Sequence, residues 1–242
     1  MQQWSRELKS VKVSKHKKQK IPKVTEKQRK SIKIRSRKLY SLIGEKKACL
    51  VLDDETYVKT DFSTLPGPRY YTALDGEVLP ESCTSIGIEK FGAKYLVWQA
   101  ICQCGLKSPT FVTQGNINAE IYINECLKKR LIPFLRKHEG PTLFWPDLAT
   151  AHYARPTTNF LQEHGIDFVP RDKNPPNVPQ CRPIERYLSL VKSKLKKTEK
   201  TAKDMNDFVL KWKQASRMID TSTVRNLMKS VRIKLRKEWS AV

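Results

Sequence analysis

The chain has 242 residues, 39% of them hydrophobic, and a formal net charge of +23 at pH 7. A surplus of this size favours phosphate polymers or anionic surfaces as partners and gives no information about the fold. No apolar run reaches about 18 residues, so we expect no membrane partner. The basic N-terminus lacks the apolar core of a secretion signal, so we expect an intracellular protein.

Residues 1–47 carry most of the charge, with 17 Lys and Arg against three Glu. Helical patterning begins only at about residues 26–42, so we predict a basic arm or linker that leads into a basic helix. Such an arm suits DNA phosphates, with binding that weakens as salt rises. The candidate DNA-binding residues are Lys15, Lys17, Lys18 and Lys20. The same cluster is compatible with a nuclear import signal, and we expect a nuclear protein.

From residue 48 the composition becomes that of a packed domain. The nearly continuous apolar run at 48–54 predicts a central strand that is buried on both faces. Strands over 94–102 and 109–113 follow a loop that contains proline and glycine. Together these segments predict an antiparallel meander.

Helices and strands alternate in the next segment. The predicted elements are a helix over 119–131 with Asn118 as its N-cap, a strand over 142–145, a helix over about 151–164, a short strand over 166–170 and a helix that contains Glu185. The order βββαβαβα within residues 48–200 predicts an α/β domain, a mixed sheet flanked by helices.

Residues 201–242 predict a C-terminal extension of two helices. The last has an apolar face and a basic face, and both a packing role and a DNA-contacting role fit that pattern. Elsewhere, six cysteines lack paired CxxC spacing and are most simply free thiols. At Cys102-x-Cys104, which precedes Gly105, the sequence favours a turn over a pair of metal ligands.

Three acids stand where strands end or a helix begins. Asp54 closes the first apolar run, Asp147 follows the run at 142–146, and Glu185 comes two positions after Pro183. Acids at strand ends in the mouth of a sheet are a favoured site geometry, and carboxylates suit magnesium. Alternation along the strand does not decide between Asp53 and Asp54. The helix dipole by itself would also favour a glutamate at position 185.

The helix behind Glu185 has a polar stripe beside its apolar one. Lys192 and Lys196 follow Glu185 on that stripe, next to Ser189. Two cations in this register would lie along a DNA backbone that leads into the acid cluster. With the basic arm, this predicts DNA as the partner, and no small-molecule substrate.

Three segments resemble the catalytic blocks of mariner-type transposases. They are LVLDDETYV at 50–58, DLATAHYA at 147–154 and PNVPQCRPIERYLSLVK at 176–192. The spacing is also similar, with 93 positions from Asp54 to Asp147 and 37 residues between Asp147 and Glu185. The last block, a proline-rich loop that ends in Pro-Ile-Glu, carries the most specific part of the resemblance.

The resemblance implies a ribonuclease-H-like fold and metal-dependent DNA cleavage and strand transfer. Asp54, Asp147 and Glu185 match the catalytic metal ligands of the family, which imply Mg²⁺ or Mn²⁺ as the cofactor. The family's first aspartate precedes a glutamate, which selects Asp54 over Asp53. His152 matches a histidine after the second aspartate and is expected to be a supporting residue. Cleavage at two sites needs two protomers, so a homodimer is a possible assembly.

Two features depart from the family pattern. Leu148 stands where the family usually has asparagine, which removes a polar side chain near the metals. Only 53 residues precede Asp54, so we expect an N-terminally truncated domain without the helix-turn-helix pair that recognises transposon ends. Two hypotheses follow: a truncated transposase domain, or a non-catalytic DNA-binding relic or domesticated fragment.

Overall fold

The computed structural model describes residues 24–66, 72–74, 77–85, 92–198 and 200–240. The predicted DNA-binding lysines of the arm, Lys15, Lys17, Lys18 and Lys20, lie outside these residues. Within the described part of the chain, no helix is both long enough and apolar enough to cross a membrane.

A four-stranded mixed sheet forms the centre of the fold, in the order β3-β2-β1-β4. The strands are β1 (Cys49–Lys59), β2 (Lys94–Cys102), β3 (Phe111–Thr113) and β4 (Thr142–Trp145). The pairs β1–β2 and β2–β3 are antiparallel, whereas β4 runs parallel to β1. The meander and the central position of β1 are confirmed, and burial on both faces explains its apolar run.

The strand predicted over 166–170 is reduced to a single bridge. Phe168 pairs in parallel with Phe144, and the amides of Phe144 and Val169 donate to Asp167 O and Phe144 O, each at 2.8 Å. The prediction of a full strand was wrong because the next donor in this parallel ladder would be the amide of residue 146, and Pro146 has none. Val169 O accepts from the Tyr153 hydroxyl instead, at 2.8 Å.

Helices cover both faces of the sheet. They are α1 (Glu26–Lys46), α2 (Glu81–Thr84), α3 (Ala119–Ile121, Tyr122–Leu131 and Ile132–Leu135 in direct succession), α4 (Arg155–Glu163), α5 (Pro183–Lys196), α6 (Met205–Arg217), α7 (Thr221–Lys229) and α8 (Val231–Ser240). The basic helix α1 begins with a capping box, in which Thr25 Oγ1 accepts from the Gln28 amide and Gln28 Oε1 accepts from the Thr25 amide.

The N-cap predicted for α3 is confirmed, since Asn118 Oδ1 accepts from the Ile121 amide at 2.8 Å. The helix is π-helical over Tyr122–Leu131, which the α-helical pattern did not indicate. Its fully buried residues are Tyr122, Cys126, Leu127 and Leu131, while Ile123 of the predicted stripe is only partly buried.

The C-terminal extension has three helices instead of two. The predicted last helix is interrupted at Ser230, whose hydroxyl donates to Leu227 O at 3.1 Å. A serine that bonds to its own backbone competes with the helical ladder. Val224, Val231 and Leu235 are nevertheless buried, as the predicted apolar face requires.

Each face of the sheet has its own core. Leu50 and Leu52 of β1 belong to the core that contains α5 and the C-terminal helices, whereas Val51 belongs to the core that contains α3. Because side chains alternate along a strand, Asp54 lies on the α5 side, and its neighbours Asp53 and Glu55 lie on the α3 side.

We predict that Gly105→Ala destabilises the protein, because Gly105 has φ +94° and a Cβ there would lie 2.5 Å from Thr221 at the start of α7. The strained backbone and the clash should each lower the free energy of unfolding, by about 2 kcal/mol or more in total. Urea denaturation measures the loss. Gly140→Ala is the matched control, since no atom lies within 4 Å of its Cβ position; an equal change in both variants would contradict the prediction.

Candidate active site

Asp54, Asp147 and Glu185 line one cavity of about 310 Å³. The parallel pair β1–β4 brings the two aspartates level with each other. In its register Leu52 pairs with Trp145, an offset of 93 positions, and Asp147 follows Asp54 by the same 93. The structure therefore brings together the three acids that the sequence selected; their role as metal ligands remains a prediction.

The structure gives Asp53 and Asp54 different environments. Asp53 is fully buried, and its Oδ2 accepts from Trp98 Nε1 at 2.9 Å and from the Tyr122 hydroxyl at 2.5 Å. Asp54 points to the other face and lines the cavity, with its Oδ1 accepting from the Glu55 amide at 2.8 Å. Asp53 thus anchors β1 to α3, and Asp54 is the aspartate available to a ligand.

His152 holds Asp147. It is 1% exposed, its Nδ1 lies against Asp147 Oδ1, and its Nε2 is 3.0 Å from Glu55 Oε1. The ring stacks on Tyr122, with 4.0 Å between the ring centroids. Asp147 Oδ1 also accepts from the Ala149 amide at 2.9 Å. These contacts fix the Asp147 carboxylate; the supporting role that the resemblance implied for His152 remains a prediction.

Glu185 lies in the first turn of α5, where Pro183 begins the helix. The predicted apolar stripe of α5 is buried against the sheet; it consists of Ile184, Leu188, Val191 and Leu195. On the polar stripe, Lys192 Nζ donates to Thr56 Oγ1 at 2.5 Å. With Asp54 and Glu185, Lys192 also lines a second cavity of about 400 Å³. Lys196 lies one turn further along the same helix.

Arg182 is a site residue that the sequence analysis missed. Its buried guanidinium donates to Asp53 O at 2.6 Å and to Pro146 O at 3.3 Å, so it connects the middle of β1 to the end of β4. The guanidinium also lies over the Trp145 ring. The only available signal was a single arginine before Pro183, in a chain that has many.

Asn174 is a second missed residue, buried in the wall of the cavity. Its Oδ1 accepts from Trp145 Nε1 at 2.8 Å, and its Nδ2 donates to Pro146 O and to the Tyr153 hydroxyl, each at 2.9 Å. Every polar atom of the amide therefore has a partner, which holds the loop before α5 against the end of β4.

The electrostatics of the cavity favour a cation. Burial raises the pKa of Asp54 to about 7, the charges of Asp147 and Glu55 add to that rise, and Arg182 opposes it. Burial also raises the pKa of Glu185. Burial is the largest single influence on the pKa of Asp147 and raises it, but the hydrogen bond and charge of His152, the Ala149 amide and the charge of Arg182 together lower that pKa below its ordinary value. A divalent cation would relieve the repulsion between these acids, and hard carboxylate oxygens are the donors that Mg²⁺ and Mn²⁺ prefer.

A second group, Glu55, Asp147 and His152, also brings possible ligand atoms within 4.8 Å of one another. Both ring nitrogens of His152 face carboxylates. Although burial opposes protonation, these acids raise the pKa of His152 well above its ordinary value. A protonated imidazole cannot bind a metal, so we interpret this group as an ion-pair network behind the cavity.

The mixed sheet and its flanking helices define an α/β domain of the ribonuclease-H-like class. A Mos1 transposase paired-end complex with the left transposon end has the same fold, with a TM-score of 0.79 and 16% sequence identity over 99% of this chain and 70% of that chain. The mariner Mos1 paired-end complex with Mg gives the same values. The catalytic domain of Mos1 mariner transposase matches with a TM-score of 0.63 and 15% identity, over 92% of this chain and 97% of that chain.

No family model and no curated protein sequence matches the chain. The solved structures show that the chain has the fold of a mariner transposase catalytic domain, which is the fold that the resemblance implied.

We predict that His152→Gln destabilises the protein by about 2 kcal/mol near pH 6, because a charged and buried hydrogen-bonded group is lost. The pKa of His152 is raised in the folded state. Protonated His152 therefore contributes fully to the free energy of unfolding below its unfolded-state pKa of about 6.5, and this contribution is lost as pH rises through the folded-state pKa. The difference in unfolding free energy between wild type and variant should therefore shrink at alkaline pH. Urea denaturation across that range tests this.

His164→Gln is the matched control, since His164 is exposed. It should show no comparable pH dependence. A destabilisation by His152→Gln that grows with pH would contradict the ion-pair network.

Proposed function

We propose that this chain is the catalytic domain of a DNA transposase that cleaves and transfers DNA strands with the help of a divalent metal. The convergence of Asp54, Asp147 and Glu185 on one cavity carries the proposal. The fold supports it, since its solved examples include the Mos1 strand transfer complex. A net charge of +23 supports DNA as the partner.

The metal ligands in this proposal are the three carboxylates. Mos1 complexes have been solved with Mn and with Mg, and the donor set of this cavity suits either ion. Bound there, the metal would polarise the phosphodiester and lower the pKa of the attacking hydroxyl or water.

The chain's own residues prepare this site. His152 and the Ala149 amide hold Asp147 in one orientation, and Arg182 contacts the backbone next to both aspartates, at Asp53 O and Pro146 O. Lys192 stands between the acids and the outer turns of α5, where it would contact a DNA phosphate next to the cleaved bond. Burial lowers the pKa of Lys192, although Asp54 opposes that shift. A DNA phosphate would stabilise the charged Lys192 ammonium through a charge-assisted hydrogen bond, which would offset the loss of water caused by burial.

We extend the proposal to location and assembly. The basic arm that contains Lys15, Lys17, Lys18 and Lys20 fits nuclear import as well as DNA binding. Cutting both ends of one DNA segment needs two such cavities, and a homodimer would supply them.

Leu148 is the residue that favours the alternative function, a non-catalytic DNA-binding protein. It lines the same cavity as the three acids and offers them no hydrogen bond. A DNA-binding relic would bind DNA in a salt-sensitive way and cleave none. The complete acid trio favours the catalytic function over this alternative.

We predict that Asp147→Asn abolishes DNA cleavage and strand joining, by about a thousandfold or more, because a metal ligand contributes several kcal/mol to the transition state. Nicked and flush-ended duplexes, incubated with Mg²⁺ or Mn²⁺ and resolved on a denaturing gel, provide the assay. Asp172→Asn is the matched control, since it makes the same change at an exposed acid outside the cavity.

The Asp147→Asn protein should still bind DNA with the same salt dependence as the wild type. Such binding would show that the substitution leaves the fold intact. If the wild type binds DNA but cleaves it with neither metal, the catalytic proposal is wrong and the relic is favoured.

Leu148→Asn should increase cleavage by about tenfold, the lower end of what polar groups around a metal contribute. An amide at this position could donate to the acids or to bound water, which leucine cannot. Single-turnover cleavage rates at subsaturating Mg²⁺ measure the gain. Leu148→Met, which keeps the side chain apolar at similar volume, is the control; an equal effect of both changes would exclude the polar explanation.

A further inference from the structure

Three cysteines and one histidine, all possible metal ligands, meet at the start of β1. Cys49 is the first residue of β1, Cys102 is the last of β2, Cys104 lies in the turn that follows, and His138 comes three residues after α3. Their ligand atoms all lie within 4.8 Å of one another. The predicted turn is confirmed by a bond from the Gly105 amide to Cys102 O. Nothing in the sequence links Cys102 and Cys104 to Cys49 and His138, so the group of four could not be predicted.

The sheet register brings the three cysteines together. Val51 pairs with Cys102, and the Gln103 amide donates to Leu50 O at 2.8 Å, so the pairing continues and places Cys49 opposite Cys104. Residues two apart on a strand share a face. All three thiols therefore lie on the face that packs against α3.

His138 is oriented as a metal-binding histidine is. Its Nδ1 lies 3.3 Å from Phe134 O and 3.2 Å from Leu135 O. Carbonyl oxygens only accept hydrogen bonds, so Nδ1 carries the proton and the lone pair is on Nε2. Nε2 is 3.4 Å from Cys104 Sγ. A carbonyl that fixes the tautomer of the ring is the usual partner of a histidine ligand.

The distances fit a tetrahedral ion. Zn–S and Zn–N bonds of about 2.3 and 2.0 Å give ligand separations of about 3.5–3.8 Å in a tetrahedron. The observed distance of 3.4 Å between Cys104 Sγ and His138 Nε2 lies just below that range, and all four ligand atoms are within 4.8 Å of one another. Three thiolates and one imidazole are a common donor set of structural zinc sites.

We propose that Cys49, Cys102, Cys104 and His138 bind one Zn²⁺ ion in a structural site, separate from the carboxylate cavity. Four protein ligands leave no position open for a substrate. Zinc would tie together the start of β1, the β2–β3 turn and the end of α3. Asp54 is five residues further along β1, roughly 16 Å away, so the proposal does not depend on the function of the acid site.

A neighbouring contact supports the turn in the required position. Arg225 of α7 donates from Nε and Nη2 to Cys104 O, at 3.4 and 3.2 Å. The guanidinium thus lies beside a group that would carry negative charge once its thiols are deprotonated.

The first test is the zinc content of untagged protein after exhaustive dialysis, measured by mass spectrometry in an Asp147→Asn background to remove metal held by the acids. We expect about one zinc per chain, and a loss of at least tenfold in Cys104→Ser and in His138→Gln. Cys83→Ser is the matched control, since Cys83 is exposed and lies outside the group; it should retain the ion. A zinc content near zero in the parent, or equal retention in Cys104→Ser, overturns the proposal.

The second test does not depend on how well the variants fold. The metal-stripped Asp147→Asn protein is titrated with Co²⁺, and the absorption spectrum is recorded. Tetrahedral cobalt with thiolate ligands gives intense visible bands and sulfur-to-metal charge transfer, whereas carboxylate ligands give neither. Saturation at about one equivalent, with release of the ion by added zinc, supports the site. Weak absorption bands alone would show that cobalt has oxygen ligands, and this would reject the site. Thiols that bind cobalt only after a reductant is added would show a disulfide, which would also reject it.

Discussion

The burial of acidic side chains in the middle of β1 is the constraint on which the site depends. An unpaired buried charge is costly, and β1 carries Asp53, Asp54 and Glu55 in succession. His152 compensates Glu55 and Asp147, which face its two ring nitrogens. The Arg182 guanidinium, which donates to the backbone oxygen of Asp53 at 2.6 Å, opposes the rise in the pKa of Asp54 and of Glu185. Burial nevertheless raises the pKa of both acids, so a divalent cation in the cavity would stabilise their charged forms.

Much of this arrangement could be predicted from the sequence, since its signals are local. A nearly unbroken apolar run indicated the central strand β1, Asn118 indicated the start of α3, and the stripe beginning at Ile184 indicated the buried face of α5. The choice of Asp54 over Asp53 was different. Alternation states only that the two side chains point to opposite faces, and the covering of one face by α5 and of the other by α3 decides which of them meets the cavity.

What could not be predicted depends on contacts between distant parts of the chain. Arg182 reaches Asp53 across 129 positions and Asn174 reaches Pro146 across 28, and neither residue type stands out in its local context. The interruption at Ser230 and the shortening of the strand at 166–170 come from single side chains, a hydroxyl that bonds to its own helix and a proline without an amide. Such details change the bounds of elements while the hydrophobic pattern stays the same.

Strand β1 connects two donor sets of opposite chemical character. Its middle offers the carboxylate of Asp54, whose oxygens suit Mg²⁺ and Mn²⁺. Its start offers the thiol of Cys49, in a group of three sulfurs and one imidazole that suits Zn²⁺. Ions of the two kinds would therefore not compete for one site. A zinc ion bound at the start of β1 would affect catalysis only indirectly, because it would limit the movement of β1 and therefore of Asp54 relative to Asp147. For that reason zinc removal should weaken the stability of the sheet before it changes the chemistry of the carboxylates.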